Sequence, residues 1–314
     1  MSANASTVVI LATGGTIAGR AARAGDNVGY SAAQIGVEQL MAAVPGLGER
    51  AGRLEAEQLV QLDSKDMDFA TWQKLARRVA EVLARDEVRG IVITHGTDTL
   101  EETAYFLQRV LAPGKPVVLT AAMRPATALL ADGPQNLLDA VSVAMDRCAC
   151  GVLVAFGGSV YDAQEVRKVH SYRVDAFASA EGARLGVVEE GVVHWLVRTP
   201  LAPAALGLAR IEREAAKWPR VQIVMNHVGA DGAIVRALLA QGVEGIVVAG
   251  TGNGTLSNAL EAALREAQAA GVMVVRSTRC DAGPVSALDG ALTSAGRLSP
   301  VKARVELLLA LLAA

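Results

Sequence analysis

TVVILATGGTIAG, residues 7–19, joins a run of β-branched and other apolar residues to a turn that is rich in glycine. A near-continuous apolar strand is typical of a parallel sheet that is covered on both faces. Gly14 and Gly15 follow this strand at its carboxyl end, where residues without side chains let the backbone turn sharply and approach a ligand closely. Open α/β sheets place their ligand sites at this edge. The stretch therefore predicts an α/β fold with a functional loop after its first strand.

Similar apolar runs recur along the chain and alternate with amphipathic segments. Between Phe69 and Leu83, for example, apolar residues return at three- and four-residue intervals, which is the period of a helix. The predicted strands are 7–12, 88–94, 116–120, 151–156, 221–226, 245–249 and 272–277. The predicted helices are 68–84, 101–110, 134–147, 233–241, 256–270 and 300–312. Strands that alternate with helices in this way again predict the α/β class.

The length of 314 residues corresponds to about two average domains. A boundary is expected around TPLAPAALGLARIEREAAKWP, residues 199–219, which has two early prolines, no strand run and a charged centre. We therefore predict a larger N-terminal domain over 1–193, a linker over 194–219 and a smaller C-terminal α/β domain over 220–314. In the larger domain we expect a mostly parallel sheet flanked by helices.

Composition and charge exclude several classes of protein. Hydrophobic residues make up 52% of the chain, which is too many for a disordered protein. The 30 basic and 32 acidic residues give a net charge of −2 without any block of like charge, so neither nucleic acid nor an anionic membrane is an expected partner. No apolar run reaches the ~18 residues that cross a bilayer, and the first residues lack the positive region of a secretory signal. A cytoplasmic protein that acts on a small molecule is expected.

The three cysteines, Cys148, Cys150 and Cys280, do not have the number or spacing of a disulfide framework. The sequence around them also lacks a cysteine or histidine at the spacing of a zinc site. They are interpreted as small buried apolar residues in a reducing cytosol, and no metal is expected.

The loop after the first strand admits more than one interpretation. A dinucleotide-binding loop of the G-x-G-x-x-G kind fits poorly, because the glycine spacing is wrong and no helix clearly begins at Ile17. The chain runs instead into RAARAGDNVGY, residues 20–30, a polar stretch that is expected to form a mobile lid. The hydroxyls of Thr16 and Tyr30 bracket this lid. A purely structural turn remains open for Thr16, although its place at a strand end favours a functional role.

A second motif, THGTDTLEETAYFL over residues 94–107, ends a strand and opens a helix. Thr97 and Asp98 would therefore lie at a second strand end, close to the amides of a helix N-terminus. Taken alone, these residues are explained equally well by N-capping through Asp98 or Thr99. His95 has no sequence partner for a catalytic triad, so it is interpreted as a structural residue.

TGGTIAG at 13–19 and HGTDT at 95–99, in this order and at this separation, resemble the two signatures of bacterial-type L-asparaginases. The resemblance extends over nearly the whole chain. Its supporting blocks are GVEQLMAAVP (36–45), DSKDM (63–67), AAMRPATALLADGPQNL (121–137), the segment around Lys168, AGTGNGTL (249–256), VVRSTR (274–279) and LSPVKARV (298–305). On these residues the chain is identified as a member of that family.

The resemblance implies a reaction and the residues that perform it. Thr16 matches the threonine whose hydroxyl attacks the side-chain amide, giving a β-acyl-enzyme and ammonia, and Tyr30 matches the lid tyrosine that closes over it. Thr97, Asp98 and Lys168 match a second catalytic group, in which the lysine assists proton transfer through the threonine. Without the resemblance, Lys168 would be interpreted as a surface lysine. The family implies neither a cofactor nor a metal.

The resemblance also implies how a free amino acid is bound. Ser64 matches the serine that hydrogen-bonds the α-carboxylate, and Asp98 matches the carboxylate that pairs with the α-ammonium. Asn253 matches an asparagine that enters the site from the smaller domain of a neighbouring subunit. Taken alone, it fits a Gly-Asn-Gly turn, and the two roles are compatible. The family assembles as dimers of intimate dimers, so a homotetramer with a small amino-acid substrate is expected.

Two positions depart from the family pattern. Lys65 stands where the family has a glutamine that faces the α-amino end of the substrate. The family's glutamate from the neighbouring small domain has no counterpart, because the shortened segment 280–290 offers only Asp281 and Asp289 as acids. Either Lys65 turns out to solvent, or the site holds a free amino group less firmly. The first is expected, since lysine stems are flexible.

The expected activity is that of an L-asparaginase with low activity on glutamine. A glutaminase-asparaginase, or an amidohydrolase for a substituted asparagine, is the nearest alternative. An amidotransferase subunit that feeds ammonia to mischarged tRNA would need an RNA-facing domain and a basic surface, which the sequence does not indicate. A binding protein without catalysis would be expected to lose Thr16 or Lys168, and both are present.

Overall fold

The buried β-branched runs of the sequence become the central strands of two separate sheets, one in each of two units, Met1–Leu208 and Ala209–Ala314. These units belong to a computed structural model that describes residues 6–23, 25–179, 184–197 and 204–313. Residue 24 of the expected lid and residues 198–203 of the expected linker lie outside the described residues. Each unit is a sheet with helices against it, so the predicted α/β fold is confirmed.

The first unit contains, in its described residues, twelve strands and five α-helices. The strands are β1 (Thr7–Gly14), β2 (Arg20–Ala21), β3 (Tyr30–Ser31), β4 (Arg53–Leu62), β5 (Val88–Thr94), β6 (Val117–Thr120), β7 (Val152–Phe156), β8 (Ser159–Asp162), β9 (Val166–Lys168), β10 (Phe177–Ser179), β11 (Gly186–Glu189) and β12 (Val192–Trp195). The helices are α1 (Val37–Ala42), α2 (Leu47–Ala51), α3 (Phe69–Leu83), α4 (Leu100–Leu111) and α5 (Gly133–Met145).

Eight of these strands form one sheet in the order β12-β11-β8-β7-β6-β5-β1-β4. Strands β4, β1, β5, β6 and β7 are parallel, and β8, β11 and β12 extend the sheet as antiparallel strands. In the register of β1 and β5, Ala12 pairs with Thr94. Because the two strands run in the same direction, their carboxyl ends meet at one edge of the sheet. The two loops that carry the sequence motifs are therefore adjacent.

Helices cover the sheet because successive side chains of a strand point to opposite faces. Val8 and Ile10 of β1 belong to a buried cluster that includes Leu40 of α1 and Leu137 of α5. The intervening residues of β1 are equally buried and face the other way. Helices α3 and α4 contact the sheet through β5 and β7, and they pack on each other through rings with centroids 4.6 Å apart, those of Trp72 and Phe106.

The second unit contains, in its described residues, a parallel four-stranded sheet and three α-helices. The strands are β13 (Val221–Met225), β14 (Gly245–Gly250), β15 (Met273–Thr278) and β16 (Thr293–Ser294). The helices are α6 (Ala233–Ala240), α7 (Asn258–Ala269) and α8 (Pro300–Leu311). A cluster of buried side chains that includes Ile246, Leu260 and Leu264 forms the core between the sheet and α7.

Several elements are missing from the sequence prediction. The strand β4 is the longest of the described strands, yet RLEAEQLVQL alternates charged and apolar residues and buries fully only Leu59. It lies at the edge of the sheet, so it lacks the continuous apolar pattern of a central strand. The helices α1 and α2 are six and five residues long, which is too short for a helical period to appear in the sequence.

The expected burial of the cysteines is wrong. Cys148, Cys150 and Cys280 are all exposed and free. The first two lie in the loop between α5 and β7, and the third follows the end of β15, so each is in a connecting segment rather than in the core. Among the described residues, no helix combines the length and the apolar character that crossing a bilayer requires.

Candidate active site

Three loops meet at the carboxyl edge of the first sheet. A Cβ atom on Gly15 would overlap the backbone nitrogen of Gly96, and a Cβ atom on Gly96 would lie 2.5 Å from the Oγ of Ser64. Gly14 and Gly15 also have φ values of 110° and 80°, which residues with side chains rarely adopt. The glycines are therefore required so that the loops after β1, β4 and β5 can touch.

Thr16 follows this glycine pair in a single 3₁₀ turn, Thr16–Ala18. Its side chain is 7% exposed, and its Oγ1 lies 2.6 Å from the phenolic oxygen of Tyr30, with either atom able to donate. Tyr30 reaches this place because the expected lid folds back as a short hairpin, in which Ala21 of β2 pairs with Tyr30 of β3. A Cβ atom on Gly19 would lie 3.0 Å from the tyrosine ring, so a larger residue at that position would crowd the ring.

A lysine joins the motif after β5 from a distant part of the chain. Lys168 ends β9, and its Nζ donates to Thr97 Oγ1 at 2.9 Å and to Asp98 Oδ1 at 2.6 Å. The lysine side chain is 18% exposed and that of Asp98 is 53% exposed, so the pair spans the boundary between protein and solvent. The backbone N–H of Lys168 donates to Glu101 Oε1 at 3.2 Å, which anchors the end of β9 to α4.

Ser64 links the loop after β4 to the same motif. It is 1% exposed, and its Oγ accepts a hydrogen bond from the backbone N–H of Asp98 at 3.2 Å. The hydroxyl of Thr99 donates to the Ser64 carbonyl at 2.8 Å. Thr99 occupies the N-cap position of α4, but its side chain makes no capping hydrogen bond. The carboxylate of Asp98 binds Lys168 instead. N-capping therefore does not explain these two side chains.

Lys65 turns toward its own loop. Its Nζ lies 2.7 Å from Asp63 Oδ2 and 3.4 Å from Asp66 Oδ2, and its side chain is largely exposed. The hydrogen bond with Asp63 raises the pKa of the Lys65 ammonium. Two neighbouring carboxylates thus compensate the positive charge of Lys65. The exposed side chain agrees with the expectation that this lysine faces solvent.

His95 is fully buried and forms part of a hydrogen-bonded chain behind the motif. Its Nδ1 lies 2.7 Å from the Gly96 carbonyl oxygen, and its Nε2 lies 3.0 Å from Thr103 Oγ1, which accepts a hydrogen bond from Trp72 Nε1 at 2.9 Å. Because the carbonyl can only accept, the neutral ring donates through Nδ1 and accepts through Nε2. Burial lowers the pKa of His95 to about 4. The histidine is therefore a neutral residue that holds the Gly96 carbonyl in place.

The structure brings most of the predicted site residues together. Thr16, Ser64, Thr97 and Asp98 lie on loops that touch through Gly15 and Gly96. Tyr30 and Lys168 reach these loops from the short strands β3 and β9. Asn253 belongs to the second unit, where it lies in the turn after β14. Sequence patterning assigns Glu101 to the first turn of α4 but gives no signal that it would bind the backbone of Lys168.

Comparison with known proteins identifies the family of the chain. The family model described as "Asparaginase, N-terminal" matches residues 7–200, and that of the "Glutaminase/Asparaginase C-terminal domain" matches residues 220–314. The chain belongs to the asparaginase family. The resemblance inferred from the two sequence signatures is thus confirmed, and it covers both units of this asparaginase-family chain.

Individual asparaginase-family members are similar over most of their length. A glutaminase-asparaginase of Pseudomonas fluorescens biotype A is 41% identical over 278 residues, which cover 88% of this chain and 76% of that protein. L-asparaginase 2 of Escherichia coli K12 is 39% identical over 315 residues, which cover 97% and 88%. The crystal structure of a probable cytoplasmic L-asparaginase from Campylobacter jejuni superposes with a TM-score of 0.91 at 39% identity, covering 98% of this chain and 95% of that chain.

Proposed function

We propose that the chain is an L-asparaginase, which hydrolyses L-asparagine to L-aspartate and ammonia through a threonine nucleophile. The observation that carries the proposal is the pair of hydroxyl-centred contacts at one edge of the sheet, Thr16 with Tyr30 and Thr97 with Lys168. Amide hydrolysis needs a nucleophile, a proton acceptor and a proton donor for the leaving nitrogen. Two activated hydroxyls on touching loops supply these groups, and membership of the asparaginase family supports the substrate class.

In the first step Thr16 Oγ1 attacks the carbon of the side-chain amide. The Tyr30 oxygen, 2.6 Å away, accepts the hydroxyl proton as the O–C bond forms and releases its own phenolic proton toward the amide nitrogen, so the phenol stays neutral. The C–N bond then breaks, and the amide nitrogen leaves as ammonia after it has gained a proton. The product of this step is an ester between Thr16 and the β-carboxyl group of aspartate. In the second step water attacks the ester carbon, and Thr16 recovers its proton.

The lysine determines the direction of the hydrogen bond made by Thr97. An ammonium group has donors and no acceptor, so the contact of 2.9 Å requires Thr97 Oγ1 to accept from Lys168. The hydroxyl of Thr97 is then free to donate a hydrogen bond to the leaving nitrogen or to the attacking water. The positive charge of Lys168 strengthens this donation, because a hydroxyl polarised by a cation is a better donor.

The substrate's α-groups find partners in the same place. Ser64 Oγ accepts from the backbone of Asp98, so its own proton remains available to an α-carboxylate. Asp98 uses Oδ1 for Lys168, and in the described part of the chain its Oδ2 is bound by no hydrogen bond. We propose that Oδ2 pairs with the α-ammonium. The exposed position of Asp98 leaves room for that contact.

The domain roles and the assembly form the next part of the proposal. Residues 1–193 would form the catalytic domain, joined by a linker over 194–219 to the domain over 220–314. Asn253 would reach the site of a neighbouring subunit, which makes an intimate dimer the active unit and a homotetramer of two such dimers the assembly. A cytoplasmic location is proposed as well, with the name of the Campylobacter jejuni protein in its support.

A glutaminase-asparaginase is the second candidate, because the Pseudomonas fluorescens relative carries that name. The test is ammonia release by the purified protein from asparagine, glutamine and N-substituted asparagines at equal concentrations. Asparagine should be the best substrate by kcat/KM. A preference for glutamine or for a substituted asparagine would replace the proposal by that activity, and no release from any of them would overturn it.

A further inference from the structure

The turn that carries Asn253 is closed on itself. Thr251 and Thr255 exchange two backbone hydrogen bonds of 2.9 and 2.7 Å, and their hydroxyl oxygens lie 2.9 Å apart. Gly252 and Gly254, on either side of Asn253, have φ values of 47° and 74°. Such values favour glycine, so the sequence TGNGT fits this turn closely. Asn253 is the exposed side chain at its tip.

Ser286 fixes the carboxamide of Asn253. Its backbone N–H donates to Asn253 Oδ1 at 2.8 Å, and its Oγ accepts from Asn253 Nδ2 at 3.2 Å. These two contacts determine which way the amide lies, because rotation by 180° would set Nδ2 against an N–H donor. One N–H of Nδ2 and one lone pair of Oδ1 remain for another partner. The side chain is therefore held in one orientation before any substrate arrives.

Arg276 holds the turn and the Ser286 segment together. It lies on β15 and is 6% exposed. Its Nη1 donates to the Asn253 carbonyl at 3.1 Å, and its Nη2 donates to the Ser286 carbonyl at 2.8 Å. A Cβ atom on Gly254 would lie 3.1 Å from the Cγ of Arg276, so the turn packs directly on the arginine stem. Within the described residues the Nε of Arg276 is buried without a hydrogen-bond partner. A buried donor without a partner costs free energy, so the position of this guanidinium is determined by the carbonyls that it binds.

We propose that Ser286 and Arg276 are positioning residues that preorganise Asn253 for the substrate in a neighbouring subunit. The inference rests on the proposed function, in which Asn253 crosses the subunit boundary. It also assigns a role to the segment 280–290, which lacks the family's glutamate. In this chain the segment contributes through Ser286, which acts on the substrate by orienting Asn253. Fixing the amide beforehand removes the cost of ordering it when substrate binds.

The decisive experiment is a double-mutant cycle of Ser286→Ala and Asn253→Ala, read as kcat and KM for asparagine. Ser286→Ala removes the Oγ acceptor and keeps the backbone N–H, so we expect kcat/KM to fall threefold to tenfold. The loss should divide between kcat and KM in the same proportion as for Asn253→Ala. In the Asn253→Ala background Ser286→Ala should have no further effect, because the residue acts through Asn253.

The matched control is Ser277→Ala, which removes a serine hydroxyl on β15 that donates to the Leu298 carbonyl at 2.8 Å and contacts neither Asn253 nor Ser286. It should change kcat/KM less than twofold. Arg276→Met should lower kcat/KM more than Ser286→Ala, and Arg276→Lys should recover part of the loss. Circular dichroism and sedimentation confirm that each variant is folded and assembled. If Arg276→Met does not fold, the serine cycle decides alone.

The outcomes separate the two proposals. A wild-type protein without asparaginase activity would contradict the proposed function. An active wild type in which Asn253→Ala has no kinetic effect would contradict both the cross-subunit role and the positioning role. An active wild type in which Ser286→Ala is without effect, or lowers kcat/KM by the same factor with and without Asn253, would overturn the positioning role alone.

Discussion

The Thr16 hydroxyl and the Tyr30 phenol lie 2.6 Å apart at the carboxyl edge of the larger sheet. This distance is within the range of a strong O–H···O hydrogen bond. The threonine is almost fully buried, whereas the tyrosine is half-buried. The contact depends on the hairpin of β2 and β3, and a change that loosens this hairpin should separate the two oxygens.

Thr16→Val should abolish asparagine hydrolysis without unfolding the protein. Valine keeps the volume of threonine and removes the proposed nucleophile, so kcat should fall by about three orders of magnitude or more. The matched control is Thr13→Val, which removes a buried hydroxyl three residues earlier that donates to the Thr94 carbonyl at 2.9 Å. The control should lose stability but keep kcat within a few-fold. A Thr16→Val enzyme with a tenth of wild-type activity would show that the nucleophile is another residue.

Lys168→Met should lower kcat strongly and change KM less. The methionine side chain fills the same space, but the hydrogen bonds that Lys168 donates to Thr97 and Asp98 are lost. In the proposed mechanism the lysine stabilises the transition state more than the bound substrate. A loss of about 10²–10⁴-fold in kcat is the range for removal of an acid–base group. Asp98→Ala should change both constants, since its carboxylate is also proposed to pair with the α-ammonium of the substrate. An unchanged kcat in Lys168→Met would leave the lysine with a structural role alone.

The sequence predicts the parallel core and the family, and the reasons lie in particular residues. Central strands such as β5 are buried on both faces, so their apolar runs are continuous. The contact between Thr16 and Tyr30 has no comparable pattern in the sequence. The hairpin that joins them has two residue pairs, which is too short for the alternation of a strand to be recognised. Lys168 lies at the end of a three-residue strand, 70 residues from Asp98, and nothing local marks it. The family resemblance alone indicates its role.

Asn253 should complete the site of a neighbouring protomer. Thr16→Val protomers, which should be inactive, and Asn253→Ala protomers, whose activity should be reduced, are dissociated together and reassembled. A mixed dimer then has one site with both lesions and one with neither, so activity should return toward a quarter of the wild-type value per protomer. Mixed oligomers are verified by native mass spectrometry. If proven mixed oligomers recover no activity, each protomer builds its site from its own residues.

His95 should make the folded state sensitive to mild acid. Its pKa is about 4 in the folded protein and 6.5 for a histidine that is not buried, so the unfolded chain takes up a proton first as the pH falls. The contribution to the unfolding free energy is complete above pH 6.5 and is lost between pH 6.5 and 4. The loss amounts to at most about 3 kcal/mol. Urea unfolding of wild type and His95→Asn at several pH values measures this loss. It is the difference between the two proteins in how the unfolding free energy changes with pH. Parallel pH profiles would show that folding leaves the pKa of His95 unchanged.

Glutamine should be a poor substrate. It is one methylene longer than asparagine, so its amide reaches Thr16 only if its ammonium end shifts toward the segment that lacks the family's glutamate. In the proposed binding mode asparagine keeps its contact with Asp98, whereas a displaced ammonium would lack the carboxylate of the family's glutamate. Lys65 is already paired with Asp63 and Asp66. A lost charge-assisted hydrogen bond is worth roughly 1.5–3 kcal/mol, or about one to two decades in rate.

With the chain-length mismatch added to this loss, kcat/KM for glutamine should lie at least about two decades below that for asparagine. Coupled ammonia assays on both substrates measure the ratio. A single substitution that restores an acid in the shortened segment, Ala287→Glu, should narrow the ratio if the missing carboxylate is the cause, while Ala287→Gln, which has the same shape without the charge, should not. A wild-type ratio within tenfold would contradict the argument and would indicate that Asp281 or Asp289 serves the displaced ammonium.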